Sequence, residues 1–314
     1  MGSTMKEIIQ KETNQVAAYT EQTKSYVAAS VSENTKKAFQ IDLQRFLKWG
    51  GTIPCTEEMF TTYISEHAAS HKFNTLKRWK NSISQAHAKN GFDNPTKSEL
   101  VKSLYQGIGR THGVKPRRVT PAMKNDLIAI CSQMEVENNF IDIRDMALLL
   151  IGFGAALRRS EIVALNVDDF EWVERGVLVH IRKSKTDQTG EGDKVAIVSA
   201  KGRYCPIKAL KRWLSVANIT NGSVFRAINR HGQIKGRLSS WSVGFIVKKR
   251  VEALGLDPAE YAGHSLRAGL ATSAAASGIP IFKIRNTTRH KSDRILFDYV
   301  RDSDLFTDNA SSIL

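Results

Sequence analysis

The sequence predicts a mostly α-helical protein of two domains, with a small β-sheet in the C-terminal domain. The chain has 314 residues, which is enough for two hydrophobic cores of ordinary size. Over most of its length, apolar residues recur with the spacing of amphipathic helices. The stretch 177–198 instead contains two short runs rich in valine and isoleucine, separated by a turn-forming segment, which is typical of a β-hairpin.

Residues 5–108 are predicted to form an N-terminal bundle of four or five short helices. The first firm helix begins near Ser32 and stops at Gly50-Gly51, because apolar residues recur between them at helical intervals. A second helix follows Thr56, and a third covers about 73–89. Residues 1–4 look like a remnant of an expression vector and are set apart from the fold.

The end of this bundle is predicted from residues that cap or break helices. Thr96 and Glu99 have capping-box spacing, so we expect the fourth helix to open at Pro95-Thr96. Residues 109–119 are predicted to be a basic linker, because glycine and proline break helices and cations suit a segment that crosses phosphates. The cations of this stretch are Arg110, Lys115, Arg117 and Arg118.

Residues 120–314 form the predicted second domain and include a C-terminal tail. Its first helix is expected to open at Thr120-Pro121, where a cap precedes a proline at the first helical position. The apolar run 146–151 predicts a buried helix. Further strands are predicted at 170–173, 177–181 and 195–198, and further helices at about 206–217, 239–254, 264–277 and 292–302.

The composition favours a polyanionic partner. The chain has 46 Lys and Arg against 31 Asp and Glu, a net charge of +15, and nucleic acid is the commonest partner of such a surface. No apolar run is long enough to span a membrane and no signal peptide is visible, so we expect a cytoplasmic, DNA-associated protein. Three scattered cysteines fit reduced thiols, with neither a disulfide framework nor a zinc site.

Four residues near the C-terminus have the chemistry needed to break a phosphodiester without a metal. His264 stands three residues before Arg267, His290 follows that arginine by 23 residues, and Tyr299 follows His290 by 9. A tyrosine can attack phosphorus, an arginine can neutralise phosphoryl oxygens, and histidines can move protons. Each residue alone would usually be structural, so the indication comes from their joint spacing. No metal and no other cofactor is expected.

This spacing resembles the C-terminal signature of the tyrosine recombinase (phage integrase) family, H-x-x-R, then His or Trp, then Tyr. The family also has an arginine in a G-L-R-x-S-E motif, which Arg158 matches, although Arg159 departs from the usual apolar residue. Glu161 would lie one helical turn on and hold the Arg158 guanidinium. The family carries a lysine in a K-T pair near a β-turn, which points to Lys185, with Lys183 as the alternative.

The resemblance implies a role for each of these residues. Tyr299 would attack the scissile phosphate and form a 3′-phosphotyrosine, while the two arginines would hold the non-bridging oxygens. His264 would act as a general base or a hydrogen-bond donor beside the nucleophile. Lys185 would protonate the leaving 5′-oxygen, and His290 would donate to a phosphoryl oxygen.

Two sets of residues are candidate DNA contacts, although a solvated charged face would account for most of them. One set lies at the starts or along the faces of N-terminal helices and in the linker, and the other lies on the helix predicted at 239–254. The first set is Ser32, Thr35, Lys36, Lys77, Arg78, Lys80, Arg117 and Arg118; the second is Ser240, Trp241 and Lys248.

The family resemblance therefore implies a two-domain DNA clamp, with an N-terminal helical core-binding domain and a catalytic domain, closest to the compact Cre-like branch. Its expected function is site-specific recombination of double-stranded DNA with paired inverted half-sites, carried out by a homotetramer. The apolar tail residues would then dock on a neighbouring protomer, with docking on their own subunit as the alternative. A type IB topoisomerase, a catalytically decayed DNA-binding regulator and a general RNA-binding protein remain the alternatives. The tail residues are Leu305, Phe306, Ile313 and Leu314.

Overall fold

Helices dominate both parts of the chain, and small antiparallel sheets occur in the second. The computed structural model describes residues 20–114, 119–182, 192–290 and 296–297. Contacts between Cα atoms divide the chain into two compact units, Met1–Arg117 and Arg118–Leu314. In the first unit the α-helices are α1 (Glu21–Ala29), α2 (Glu33–Trp49), α3 (Glu57–His67), α4 (Phe73–Lys89) and α5 (Glu99–His112), with a 3₁₀ turn at Pro95–Lys97.

The predicted caps of the first helices are present. Ser32 and Thr56 each accept a hydrogen bond from a backbone N–H in the first turn of their helix, and Gly50 closes α2 with a φ of 110°. The apolar faces of α2 to α5 meet in a core centred on aromatic rings. The ring of Tyr63 lies 5.2 Å from that of Trp79, centroid to centroid, and 5.0 Å from that of Phe46.

Two expectations for the end of this unit are wrong. Thr96 does not cap a helix: it is buried, it bonds to Asn94, and Ser98 instead caps α5 by accepting from the N–H of Val101. Helix α5 also continues through Gly107 to His112, so the first residues of the predicted linker are helical. A glycine inside a helix costs only about 1 kcal/mol, which the buried face of α5 offsets.

The second unit is built around one buried helix. Its α-helices are α6 (Lys124–Glu137), α7 (Phe140–Gly154), α8 (Arg159–Ala164), α9 (Pro206–Val216), α10 (Ser240–Glu252), α11 (Ser265–Ala276) and α12 (Ile281–Thr288). Helix α7 contains the predicted apolar run and is buried over most of its length. It contacts α6, α8, α9 and α11, as expected of a helix whose C-terminal half, residues 146–154, is apolar on all sides.

The strands form two separate antiparallel sheets. The predicted strands are β1 (Phe170–Val173), β2 (Gly176–Ile181) and β3 (Asp193–Val198), which pair in the order β1-β2-β3. A second, two-stranded sheet of β4 (Arg226–Ile228) and β5 (Ile234–Arg237) was not predicted, because its strands are too short to show an alternating pattern. Helix α12 was likewise missed.

A buried ion network holds α10 against α7. Arg250 on α10 contacts Asp145, and its Nη2 lies 2.6 Å from Oδ1 of Asp142. Arg144 donates to the other oxygen of Asp145 at 2.6 and 2.9 Å. Charges this deeply buried are tolerated because each is paired. Arg250 therefore fixes the position of α10.

The start of the second unit differs from the prediction. Helix α6 begins at Lys124, because the preceding segment is extended and packs along α11. The backbone N–H of Ala122 donates to the carbonyl of Ser265 at 3.0 Å, and the N–H of Lys124 donates to Oγ of Ser273 at 3.0 Å. The first of these bonds uses an N–H group that a helix opening at Thr120-Pro121 would have left unpaired.

No helix in the described part of the chain is both long and apolar enough to cross a membrane.

The close approach of this extended segment to α11 generates a stability prediction. A Cβ at Gly269 would stand 1.7 Å from the carbonyl oxygen of Ala122, so Gly269→Ala must displace backbone. We expect it to lower the free energy of unfolding by about 3 kcal/mol or more. Gly244→Ala on α10 is the matched control, since its Cβ would meet nothing closer than 3.7 Å. That variant should be neutral or up to about 1 kcal/mol more stable. Equal denaturation midpoints for the two variants would contradict the packing.

Candidate active site

Arg158 is held by Glu161, one turn further along the chain. Arg158 caps α8, and its Nη1 donates to Oε1 of Glu161 at 2.7 Å. Its backbone N–H donates to the other carboxylate oxygen at 2.8 Å. The i,i+3 pair expected from the sequence is therefore present. Because both side chains are largely buried, it is stronger than an exposed pair.

Arg267 is anchored to the end of α7. It lies in the first turns of α11, it is 5% exposed, and its Nη1 donates to the carbonyl oxygen of Ala156 at 2.7 Å. Ala156 has a φ of 48°, a conformation that favours glycine, and it closes α7 in a Schellman motif. The same turn leads through Leu157 into Arg158. The two arginines are thus fixed by neighbouring parts of one helix ending.

His264 stands at the beginning of α11, one turn before Arg267. Its side chain is exposed, in contrast to the buried arginine. The preceding Gly263 packs within 3.1 Å of Cβ of Arg159, measured from an ideal Cβ position. The start of α11 therefore lies beside the start of α8, and the exposed imidazole is placed at the border of the arginine pair.

Arg289 is a site residue that the sequence analysis missed. Its Nη2 donates to Oε2 of Glu161 at 2.7 Å, so one carboxylate binds both Arg158 and Arg289. Burial opposes ionisation of Glu161, but Arg289 and the hydrogen bonds from Arg158 outweigh it and lower the pKa of the carboxyl. The feature of the sequence that could have indicated Arg289 was its position directly before His290 in the motif.

His290 lies among these cations and is neutral near pH 7. Burial, followed by the charges of Arg267, Arg158 and Arg289, lowers the pKa of its imidazole to about 4. Its Nδ1 lies 2.8 Å from Oγ1 of Thr288, and that hydroxyl donates to the carbonyl of Ile284 at 2.8 Å.

This geometry favours a hydrogen on Nδ1 of His290. The carbonyl of Ile284 can only accept, so the hydroxyl hydrogen of Thr288 satisfies it when Nδ1 of His290 is the donor, and Nε2 of the neutral ring then has no hydrogen. Donation to a phosphoryl oxygen from Nε2 therefore requires the imidazolium form. An anionic phosphate beside the ring would favour that form.

Several predicted site residues lie outside the described residues. These are Tyr299, Lys185 and its alternative Lys183, and the linker residues Arg117 and Arg118. The last predicted helix and the tail fall in the same category, apart from residues 296–297. Their roles stay predictions from the sequence.

The candidate DNA contacts of the N-terminal unit differ in how their side chains are engaged. Arg78 donates through Nε and Nη2 to the buried carboxylate of Asp42, at 2.8 and 2.7 Å, while its side chain is 53% exposed. Lys77 and Lys80 instead lie over aromatic rings, with Nζ 4.6 Å from the centroid of Phe73 and 5.2 Å from that of Tyr105. Their charges remain at the surface of α4 or close to it.

The three candidates at the start of α2 also have local partners. Ser32 caps the helix, Thr35 bonds to the hydroxyl of Ser32 at 2.8 Å, and Nζ of Lys36 lies 2.7 Å from Glu33. Ser32 and Thr35 are nevertheless exposed. These local bonds are compatible with surface contacts but give no independent indication of DNA.

Helix α10 presents an aromatic surface beside the arginine pair. Trp241 is 78% exposed and Phe245, one turn on, is 70% exposed. The guanidinium of Arg159 lies 5.2 Å from the centroid of the Trp241 ring. Ser240 and Lys248, the other predicted contacts of this helix, are half-buried. Exposed aromatic residues next to cations form a surface suited to the sugars and bases of a nucleic acid.

The chemistry of the site is that of an anion-binding centre. Within the described ranges, three guanidinium groups and the carboxylate of Glu161 lie around one neutral imidazole, and these groups together have an excess of two positive charges. A phosphodiester carries one negative charge, and guanidinium forks match its oxygens. Among the described residues, no group of three or more His, Cys, Asp or Glu is arranged to hold a metal ion.

Comparison with known proteins identifies the family of this chain. Residues 117–305 match the model of the phage integrase family. The chain is 37% identical to the integrase/recombinase xerD homolog of Selenomonas ruminantium, over 90% of this chain and 85% of that protein. It is 23% identical to recombinase cre of Escherichia phage P1, over 82% of this chain and 78% of that protein.

Solved structures with a similar fold are integrases and recombinases. A lambda integrase tetramer bound to a Holliday junction aligns with 98% of this chain and 80% of its own, with a TM-score of 0.64 and 15% identity. The Tn1549 transposon integrase in complex with circular intermediate DNA aligns over 98% of both chains, with a TM-score of 0.62 and 15% identity. The chain belongs to the phage integrase family and is an enzyme of the tyrosine recombinase class.

The environment of His290 generates a spectroscopic prediction. In the DNA-free protein, its imidazole should stay neutral from pH 8 down to pH 5, with its hydrogen on Nδ1, because burial and three cations disfavour a further charge. Nitrogen chemical shifts of labelled histidine measure both properties, and His290→Gln identifies the signal. Titration near pH 6.5, or a hydrogen on Nε2, would contradict the arrangement.

Proposed function

We propose that this protein is a site-specific DNA recombinase that cuts and rejoins DNA through a covalent 3′-phosphotyrosine intermediate. The observation that carries the proposal is the convergence of Arg158, Arg267 and Arg289 on His290, around a single carboxylate. This cationic centre lies in a chain whose C-terminal segment supplies a tyrosine at the family spacing.

The chemical step is a transesterification. Oη of Tyr299 attacks the scissile phosphorus, its proton leaves towards His264 or solvent, and the bond from phosphorus to the 5′-oxygen breaks. Lys185 gives the proton that the departing 5′-oxygen needs, and Lys183 is the alternative donor. Arg158 and Arg267 neutralise the non-bridging oxygens as negative charge builds up on them.

His290 assists the same step as an imidazolium. Bound phosphate raises the pKa of its ring above the value of about 4 in the DNA-free protein, and the protonated Nε2 then donates to a phosphoryl oxygen. The energy of the phosphodiester is kept in the tyrosine ester, so the reaction needs no cofactor. Attack by a 5′-hydroxyl from a second duplex reverses the step and exchanges strands.

The proposed substrate is double-stranded DNA with two inverted half-sites, bound by four copies of the chain. Each copy supplies one Tyr299, and exchange between two duplexes requires four cuts. Support comes from relatives: the lambda integrase with a similar fold is a tetramer bound to a Holliday junction. The exposed aromatic surface of α10 and the cations of α4, which are Lys77, Arg78 and Lys80, are the proposed DNA contacts within each domain.

Replacing the nucleophile tests the proposal directly. Tyr299→Phe should form no covalent adduct with duplex DNA that flanks the protein's own gene, while its affinity for that DNA changes by no more than about tenfold, the effect of one hydrogen bond. The matched control is Tyr261→Phe, which removes the hydroxyl of a buried tyrosine in the same unit. It should leave adduct formation intact.

Adducts are measured on denaturing gels. Adduct formation by Tyr299→Phe would overturn the assignment of the nucleophile. Relaxation of any supercoiled plasmid by the wild-type protein, without a preferred site, would favour the topoisomerase alternative. DNA binding by the wild-type protein without any adduct would favour the decayed regulator.

A further inference from the structure

Arg289 has two features that ordinary packing does not favour. It closes α12 with a φ of 56°, a left-handed conformation that glycine adopts more readily than arginine. Its side chain is only 7% exposed, yet Nε and Nη1 are buried with no hydrogen-bond partner among the described residues. Backbone strain and buried donors without acceptors persist where the surrounding structure requires the residue, and such positions cluster at functional sites.

Among the described residues, the side-chain hydrogen bond of Arg289 leads to the phosphate-binding arginine. Nη2 of Arg289 donates to Oε2 of Glu161 at 2.7 Å, and the same oxygen accepts from the backbone N–H of Arg158 at 2.8 Å. The other carboxylate oxygen accepts from Nη1 of Arg158 at 2.7 Å. Glu161 is 2% exposed, so water has little access to replace a lost partner.

Arg289 has a geometric and an electrostatic effect on Arg158. Geometrically, its contact to Oε2 of Glu161 restrains rotation of the carboxylate, whose other oxygen holds the Arg158 guanidinium. Electrostatically, an isolated pair of Arg158 and Glu161 would have no net charge. With Arg289 on the same carboxylate, the group of three carries one positive charge, which a phosphate oxygen can use.

We propose that Arg289 is a positioning residue for the proposed cleavage reaction, acting through Glu161 to orient Arg158 and to leave the group of three side chains with a net positive charge. The inference rests on the proposed function, because it concerns the arginine that would bind the scissile phosphate. Arg289 itself need not touch the DNA. It also lies directly before His290, so it joins the helix ending that carries the histidine to the helix that Arg158 caps.

The test uses variants of the full chain that distinguish the effects of backbone conformation, side-chain charge and side-chain shape at position 289. Arg289→Gly removes the guanidinium and suits the left-handed backbone, which offsets part of the stability that is lost with the buried ion pair. Arg289→Lys keeps the charge, and Lys283→Ala removes a cation from an exposed position of the same helix as a matched control. The rate of adduct formation in a single turnover is measured for each variant. The substrate is a nicked DNA duplex with the sequence of the region that flanks the gene.

We expect Arg289→Gly to slow adduct formation on the order of 100-fold, the cost of a displaced catalytic group, with DNA binding little changed. Arg289→Lys should recover most of the rate, and Lys283→Ala should match the wild type. In the DNA-free protein, the pKa of His290 should rise in Arg289→Gly and stay unchanged in Lys283→Ala. A purely structural role would not produce this combination.

A double-variant cycle with Glu161→Gln tests the route of the effect. If Arg289 acts through Glu161, adding Arg289→Gly to Glu161→Gln should slow the reaction much less than it slows the wild type. Wild-type rates in Arg289→Gly, or losses that multiply fully in the double variant, would overturn the positioning role while leaving the proposed function standing. Absence of adduct in the wild-type protein would overturn both.

Discussion

The carboxylate of Glu161 is the interaction on which the described part of the site depends. Three arginines lie close to one imidazole, and without DNA their charges repel one another. Glu161 is buried and binds two of the three, while the third, Arg267, is held by the carbonyl of Ala156. The protein thus builds a cationic phosphate site before any phosphate arrives, which is how preorganised groups lower the cost of reaching a transition state.

The fold around this carboxylate holds the functional side chains in place. Buried helix α7 ends in the turn whose carbonyl anchors Arg267 and whose continuation becomes α8, with Arg158 at its cap. Helix α11 can pack closely against the extended segment before α6 because Gly269 has no Cβ atom that would clash with the backbone of Ala122. Of the non-glycine residues with positive φ in the described ranges, Ala156 and Arg289 border the site and the others are asparagines. Local strain is therefore located where functional side chains are fixed.

The sequence predicted the structure well where a local pattern of residues is compatible with one kind of element or contact. Periodic apolar residues predicted α2, the apolar run 146–151 predicted α7, and the Arg158–Glu161 pair followed from helical geometry. Prediction was wrong where tertiary contacts competed with local signals: Thr96 is buried against Asn94, and the segment before α6 bonds to α11. Arg289 could not be assigned, because its partner Glu161 lies 128 positions away in the chain. A left-handed arginine likewise leaves no mark in the sequence.

The central claim is that one tyrosine becomes esterified to the 3′-phosphate of the DNA while the arginine centre holds the phosphate. The most direct measurement is mass spectrometry of the covalent adduct after digestion with nuclease and trypsin. Trypsin should release residues 295–301, Ile-Leu-Phe-Asp-Tyr-Val-Arg, which contain a single tyrosine. The expected result is a 3′-phosphate-linked nucleotide on Tyr299 of this peptide. A nucleotide on any other peptide, or one linked through a 5′-phosphate, would contradict it.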